Sequence, residues 1–364
     1  MKYLDEYRRR ELIERHLERI ASDTRGRWTI MEVCGGQTHA ILKHGIDRRL
    51  TGKITLLHGP GCPVCVTPAE TIDQAIEIAS RPEVIFCTFG DMLRVPGSRD
   101  DLMTARAHGG DVRMVYSPLE AVALAESNPT REVVFFAIGF ETTAPVVATA
   151  VLQAHNKKLA NFSILAAHVR IPPAMAAILD MRVGGVNAFL APGHVCAVTG
   201  PDEYAALSGR YHVPIVITGF EPVDLLQGIQ MAVGQLEAGR AELQIQYTRA
   251  VSRRGNVLAR QRMESVFQTV DRNWRGLGRI PQSGLALREM FARFDATSRF
   301  HPTGGLPART DLYCGQVLAG AMKPEACPFF GTECVPDRPL GPCMVSAEGA
   351  CAAYFRYGER RPTS

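Results

Sequence analysis

Cys34 closes a short apolar run, Ile30 to Val33, and is followed by Gly35, Gly36, Gln37, Thr38 and His39. A thiol carried to the end of a buried strand can act as a nucleophile or as a soft ligand for a transition metal. The two glycines let backbone approach a bound group without a Cβ in the way. His39 is expected nearby, to orient a group or relay a proton. A buried cysteine before an ordinary glycine turn is the bland alternative, and three further groups of residues weigh against it.

The first is Cys62-Pro63-Val64-Cys65, ahead of a helix signal. A Cys-x-x-Cys pair at a helix N-terminus places one thiol near unpaired amides, which favours its thiolate, and Pro63 stiffens the turn. A reversible dithiol is the leading reading; half a zinc site or a structural pair are the others. The second is the tail, where Cys314, Cys327, Cys334, Cys343 and Cys351 lie among prolines at spacings too wide for a zinc knuckle. Four thiolates on such loops fit a [4Fe–4S] cluster, with a four-cysteine zinc site as the alternative. Cys314, Cys327, Cys334 and Cys351 are the first-choice ligands, and Cys343 the substitute. The third is Gly139-Phe140-Glu141-Thr142-Thr143, where Glu141 is a carboxylate at a strand end. It gains meaning as one wall of a crevice shared with Cys34; otherwise the threonines simply cap a helix. Cys87 and Cys196 sit in or beside apolar runs and read as core, and His168, Arg170 and His194 read as structural.

These residues need strands and helices to hold them. Apolar, β-rich runs at 29–33, 54–57, 84–89, 112–116, 133–138, 162–166, 187–190 and 214–218 alternate with helical patterns. That alternation predicts parallel βαβ units in two α/β lobes around a central crevice. Loops after strand ends then form the ligand site, where Cys34 and Glu141 fall. Thr67-Pro68-Ala69-Glu70 and Ser117-Pro118-Leu119-Glu120 each give a cap, a proline at the first helical position and an acid three on. Phe89-Gly90-Asp91, Gly139-Phe140-Glu141 and Gly219-Phe220-Glu221 echo one another. The expected units are an N-terminal helix (1–25), a lobe with Cys34 and the dithiol (26–130), a second lobe with Gly139 to Thr143 (131–239), and a loop-rich helical iron–sulfur module (240–364). Residues 240–275 are expected to be helical.

A chain of 364 residues with 46% hydrophobic and 21% charged residues can bury two or three cores and carries no disorder signature. With no secretory signal or membrane-length apolar run, a reducing cytoplasm is expected, so ten cysteines point to metal or redox chemistry rather than disulfides. The formal charge of +4 and scattered arginines give no basic stripe with aromatics, and nucleic acid is not an expected partner.

In this order, Cys34-Gly-Gly-Gln-Thr-His39, Gly59-Pro-Gly-Cys-Pro-Val-Cys65, Phe89-Gly-Asp-Met-Leu-Arg-Val-Pro-Gly97, Gly139-Phe-Glu-Thr-Thr143 and Cys343-Met-Val-Ser-Ala-Glu-Gly-Ala-Cys351 resemble the HypD family of hydrogenase maturation factors. The likeness runs from about residue 25 to 357. It implies a scaffold on which the Fe(CN)2CO unit of [NiFe]-hydrogenases is built. Iron would be held between Cys34 and the N-terminal cysteine of the small protein HypC, and cyanide would arrive from HypE with HypF. Cys62 and Cys65 would lie near the cluster and exchange electrons with it, in the manner of ferredoxin-dependent thioredoxin reductase. The rival is an enzyme of that type, a cluster-dependent disulfide reductase. A zinc-stabilised binding module is a third reading.

Overall fold

A computed structural model describes residues 5–305 and 311–358. All eight expected strands are present: β1 (Trp28–Glu32), β2 (Ile54–His58), β3 (Val84–Thr88), β4 (Asp111–Met114), β5 (Glu132–Gly139), β6 (Phe162–His168), β7 (Ala188–Pro192) and β8 (Ile215–Thr218). Three more follow: β9 (Leu243–Ile245), β10 (Phe267–Trp274) and β11 (Gly278–Leu287). One parallel sheet runs β2-β1-β7-β8-β9 and a second runs β4-β3-β5-β6. The chain starts the first sheet, builds the second, and returns to finish the first. Sheet membership therefore crosses the boundary expected at residue 130, because a parallel sheet is assembled by crossovers that local sequence pattern does not record.

Strand alternation explains how the sheets stack. Successive side chains point to opposite faces, so Ile30 joins helices 10–23 and 222–237 on the outside of the first sheet. Met31 faces the other way, into a core that also takes Phe86 and Phe136 of the second sheet and Cys343, Met344 and Cys351 of the tail. The two sheets and the tail thus share one interior. The second sheet's outer face is covered by helices 118–127 and 144–156 and by Phe267, Phe291 and Phe294. Strands buried on both faces read as continuous apolar runs, as β3 and β5 do.

Two expectations are corrected. Between 240 and 275 only Val257–Val266 is α-helical; β9 joins the first sheet, and β10 and β11 form an antiparallel hairpin. Arg272, Arg275 and Arg279 interrupt the apolar pattern of the hairpin although Arg275 is itself buried, while Phe267, Trp274, Ile280 and Leu285 are buried and the Trp274 indole donates to Ser283 Oγ at 2.8 Å. Thr67 does not cap the helix that follows. It ends the short helix Pro63–Val66 by donating its hydroxyl to the Pro63 carbonyl at 2.8 Å, and Pro68 occupies the next N-cap. Ser117 caps as expected, accepting from the Leu119 amide at 3.2 Å.

Candidate functional site

In the first sheet β1 has β2 on one side and β7 on the other, so the chain leaves β1 and β7 in opposite directions. A crevice opens at such a switch point, beyond the strands' carboxyl ends. Cys34 follows β1 and is the N-cap of helix Gly35–Lys43. His194 follows β7, and its Nδ1 stands 3.9 Å from Cys34 Sγ. Phe220 follows β8, its ring centroid 5.1 Å from that of His194. The loop after β2 closes the floor: the Gly35 amide donates to the Gly61 carbonyl at 2.9 Å. A Cβ on Gly61 would lie 2.1 Å from the Cys34 nitrogen, so only glycine fits.

Burial pushes the Cys34 thiol well above its ordinary pKa, opposed by the amides of Gln37 and Gly36 and reinforced by the carboxylates of Glu32 and Glu348. A metal binding this sulfur would have to displace its proton. Burial also lowers His194 to about 4, so its imidazole is neutral at pH 7 and available as donor or ligand. Glu32 anchors the loop from below. Its carboxylate accepts from the Cys34 amide at 2.8 Å, from the Thr38 hydroxyl and from His58 Nδ1 at 2.7 Å, while His58 Nε2 meets the Tyr354 hydroxyl at 3.2 Å. Tyr354 lies on the tail helix Ala350–Tyr357, so the last helix of the chain completes the setting of Cys34.

The dithiol lies beside this loop. Cys62 is the N-cap of helix Pro63–Val66, and its sulfur accepts from the Cys65 amide at 3.4 Å. Cys65 is fully buried, 3.9 Å from the Pro342 carbonyl, and its thiol meets those of Cys343 and Cys62. Burial first, and these neighbouring thiols second, raise Cys65 above the ordinary thiol range.

All five tail cysteines line one cavity of about 30 Å³, walled by Tyr313, Phe329, Phe330, Leu340 and Met344. Cys343, kept as a substitute by sequence, is the most buried of the five and touches Cys314, Cys351 and Cys65. Cys334 Sγ accepts from the Leu340 amide at 3.4 Å. Among the described residues no group of three or more His, Cys, Asp or Glu side chains is already gathered to hold a metal ion. The cavity instead carries thiols around its walls, with no carboxylate or imidazole among its lining residues. That soft donor set fits iron–sulfur ligation.

His39 and Glu141 lie elsewhere. His39 stands further along its helix with its ring edge-on to Tyr357 and Nε2 3.4 Å from the Tyr357 hydroxyl. The imidazole beside the Cys34 sulfur is His194. Glu141 is buried at the end of β5, accepting from the Ile171 amide at 3.1 Å, and burial raises it to about 7. Its neighbours include Cys196 and Tyr204. Cys87 and Cys196 are core residues, and His168 is buried against the Thr143 hydroxyl at 3.2 Å. Sequence reasoning passes over Phe220 and Glu348 as site residues and takes His194 as structural. Glu348 packs against Gly35, and its tail loop is tied down by Ser346, whose hydroxyl donates to Asp91 at 2.7 Å. The Phe-Gly-Asp and Gly-Phe-Glu echoes, which place Asp91 and Phe220 at strand ends, are the available signal.

Among the described residues no helix is long and apolar enough to cross a membrane. The family model described as HypD, hydrogenase formation hypA family, matches residues 11–358. The hydrogenase maturation factor HypD of Azotobacter vinelandii is 50% identical, with 99% of this chain and 98% of that protein aligned. Its counterpart in Escherichia coli strain K12 is 47% identical over 99% of both. The hydrogenase expression/formation protein HupD of Azotobacter chroococcum is 50% identical over 99% of this chain and 98% of its own length. With the motifs at the strand ends of both sheets and in the tail, and likeness along the whole chain, this protein belongs to the HypD family of hydrogenase maturation factors.

Proposed function

We propose that the chain is the scaffold on which the Fe(CN)2CO unit of a [NiFe]-hydrogenase is assembled. Iron, the cargo, is held on Cys34 together with HypC in a stable complex, while HypE with HypF docks transiently to supply cyanide. A [4Fe–4S] cluster held by the tail cysteines supplies electrons, and the Cys62–Cys65 dithiol passes them on. Cys314, Cys327, Cys334 and Cys351 hold that cluster, with Cys343 able to replace one of them. The chain works in a reducing cytoplasm, where cysteines serve metal or redox chemistry.

The observation that carries this reading is the run of sulfur from the mouth inward. Cys34 sits at the switch point against the Gly61 loop, Cys62 and Cys65 follow within that loop, and Cys65 touches Cys343 of the tail cavity. Thiolates are soft ligands that suit low-spin iron carrying strong-field diatomic groups. The test is infrared spectroscopy of the protein purified with HypC. Cyanide and carbonyl stretches are expected from the unaltered chain and none from Cys34→Ala, which should keep its cluster. Unchanged stretches in Cys34→Ala would sink the scaffold reading.

The contact between Cys65 and Cys343 also favours a second reading, a cluster-dependent disulfide reductase acting on a partner protein. That reading expects Cys34→Ala to keep full reductase activity, and Cys62→Ser to lose it.

A further inference from the structure

The Gly-Phe-Glu loop after β8 has no part in the proposed chemistry, yet it borders the Cys34 sulfur. A methyl built on Gly36 would lie 3.3 Å from Phe220 Cδ1 and 3.7 Å from Cys34 Sγ, so ring and sulfur flank one narrow gap. His194 closes the third side, 3.9 Å from the sulfur through Nδ1 and 5.1 Å from the Phe220 centroid. Cys34 is left 5% exposed. A half-buried phenyl ring in that position has no hydrogen bond to offer, and acts on whatever approaches the thiol by shape alone.

The ring is held in place by a stack of rings and a guanidinium. Phe220 meets Tyr247 edge-on at 6.1 Å. The guanidinium of Arg249 lies close to two tyrosine rings, 4.4 Å from the Tyr247 centroid and 4.0 Å from that of Tyr7. Arg249 also grips the fully buried Asp224 with both terminal nitrogens, at 2.7 and 2.5 Å. Asp224 in turn accepts from the Glu221 amide at 3.3 Å, and Glu221 is paired with Arg8. Two ties thus reach from the N-terminal segment to the surroundings of Phe220. A planar, stacked and bidentate arginine is a rigid support that lysine cannot imitate.

We propose that Phe220 is a specificity-determining wall of the Cys34 site, admitting small groups to the sulfur and turning bulky ones away, with Arg249 as the positioning residue that fixes it. A wall of this kind suits a thiol meant for a compact iron unit with diatomic ligands. It also protects the thiol from adventitious modification by larger electrophiles.

Resting as it does on Cys34 as the attachment thiol, the wall is tested by a readout independent of iron loading. The full-length protein is treated, at low conversion, with iodoacetamide or with a fluorescein-bearing iodoacetamide. Modification of the tryptic peptide Trp28–Lys43, which holds Cys34 as its sole cysteine, is followed by mass spectrometry. In Phe220→Ala the rate with the bulky reagent should rise roughly tenfold, about the effect of losing a half-buried ring, while the rate with iodoacetamide changes little. Phe220→Leu should fall between, and Arg249→Lys should give a smaller rise of the same sign. An unchanged ratio of bulky to small rates in both Phe220 variants overturns the proposal. Equal acceleration with both reagents also overturns it, since that marks a loosened loop rather than a removed wall. If Arg249→Lys matches the unaltered chain, Arg249 is not the support. A failed Cys34→Ala infrared test leaves the alkylation result standing, so the two failures are distinct.

Discussion

The two sheets present the same topological opening and fill it in opposite ways. At the first, between β1 and β7, both oxygens of the buried Glu32 carboxylate are taken by donors, although Gln37 Oε1 nearby is buried without a partner, and the loop Glu32 anchors carries a thiol facing a neutral imidazole. At the second, around the carboxyl ends of β3, β5 and β6, polar atoms are buried without partners: Thr88 Oγ1, Glu141 Oε2 and His168 Nδ1. A fully partnered carboxylate makes a rigid platform on which a ligand can be held to a fraction of an ångström. A half-partnered one is kept neutral by its apolar surroundings and becomes a group that titrates. One opening is built for geometry and the other for proton content.

Removing the thiol from the first opening should have the largest effect. Cys34→Ala is expected to lower hydrogenase maturation by more than roughly a hundredfold, measured as hydrogenase activity in a complemented strain. The cluster should be retained by iron and sulfide analysis; its loss would tie the two sites together instead. Next is Gly61→Ala, whose methyl would meet the Cys34 backbone at 2.1 Å. Overpacking of that order costs about 3 kcal/mol, readable as a lower midpoint in urea, and it should disturb Cys34 more than any surface change.

The second opening is probed by pH. Glu141 is raised from 4.5 to about 7 by burial, so the folded state holds its proton more tightly than the unfolded one. The stability this supplies is complete below pH 4.5 and is lost as pH rises through about 7, with a span of at most a few kcal/mol. Glu141→Gln, neutral throughout, should remove that slope between pH 5 and 8 in urea titrations, and an unchanged slope would assign it to another group. The smallest expected effect is Tyr354→Phe, which strips one hydrogen bond from His58 at the first opening. It should cost about 1 kcal/mol in the same titrations, and a loss several times larger would mean that the tail helix is held chiefly through this contact.

Much of this is legible before any coordinates, for definite reasons. Most of the eight strands announce themselves because burial on both faces leaves little room for polar alternation, as in Val133 to Ile138. Cys62 and Cys65 are found from a fixed spacing. His194, Phe220 and Glu348 have no such spacing: each is a single residue brought to Cys34 by the order of strands or the docking of the tail. His39 is misplaced by sequence because nearness along a helix does not mean a shared face. The hairpin at 267–287 escapes notice because its arginines look helical, and only the pairing across Gly276 reveals the strands. The Thr67 cap fails because a second, four-residue helix intervenes.

The return of the chain to its first sheet has a consequence for how the protein is made. Cys34 and His194 are 160 positions apart, and at roughly 5–20 residues per second a ribosome needs about 8–32 seconds to travel between them. Throughout that interval the nascent thiol has neither its imidazole, nor its aromatic screen, nor the tyrosine on the last helix. A truncated or stalled chain therefore exposes a bare cysteine without the groups that surround it in the fold. Only a finished polypeptide completes the surroundings of Cys34, so the site is assembled after translation is over.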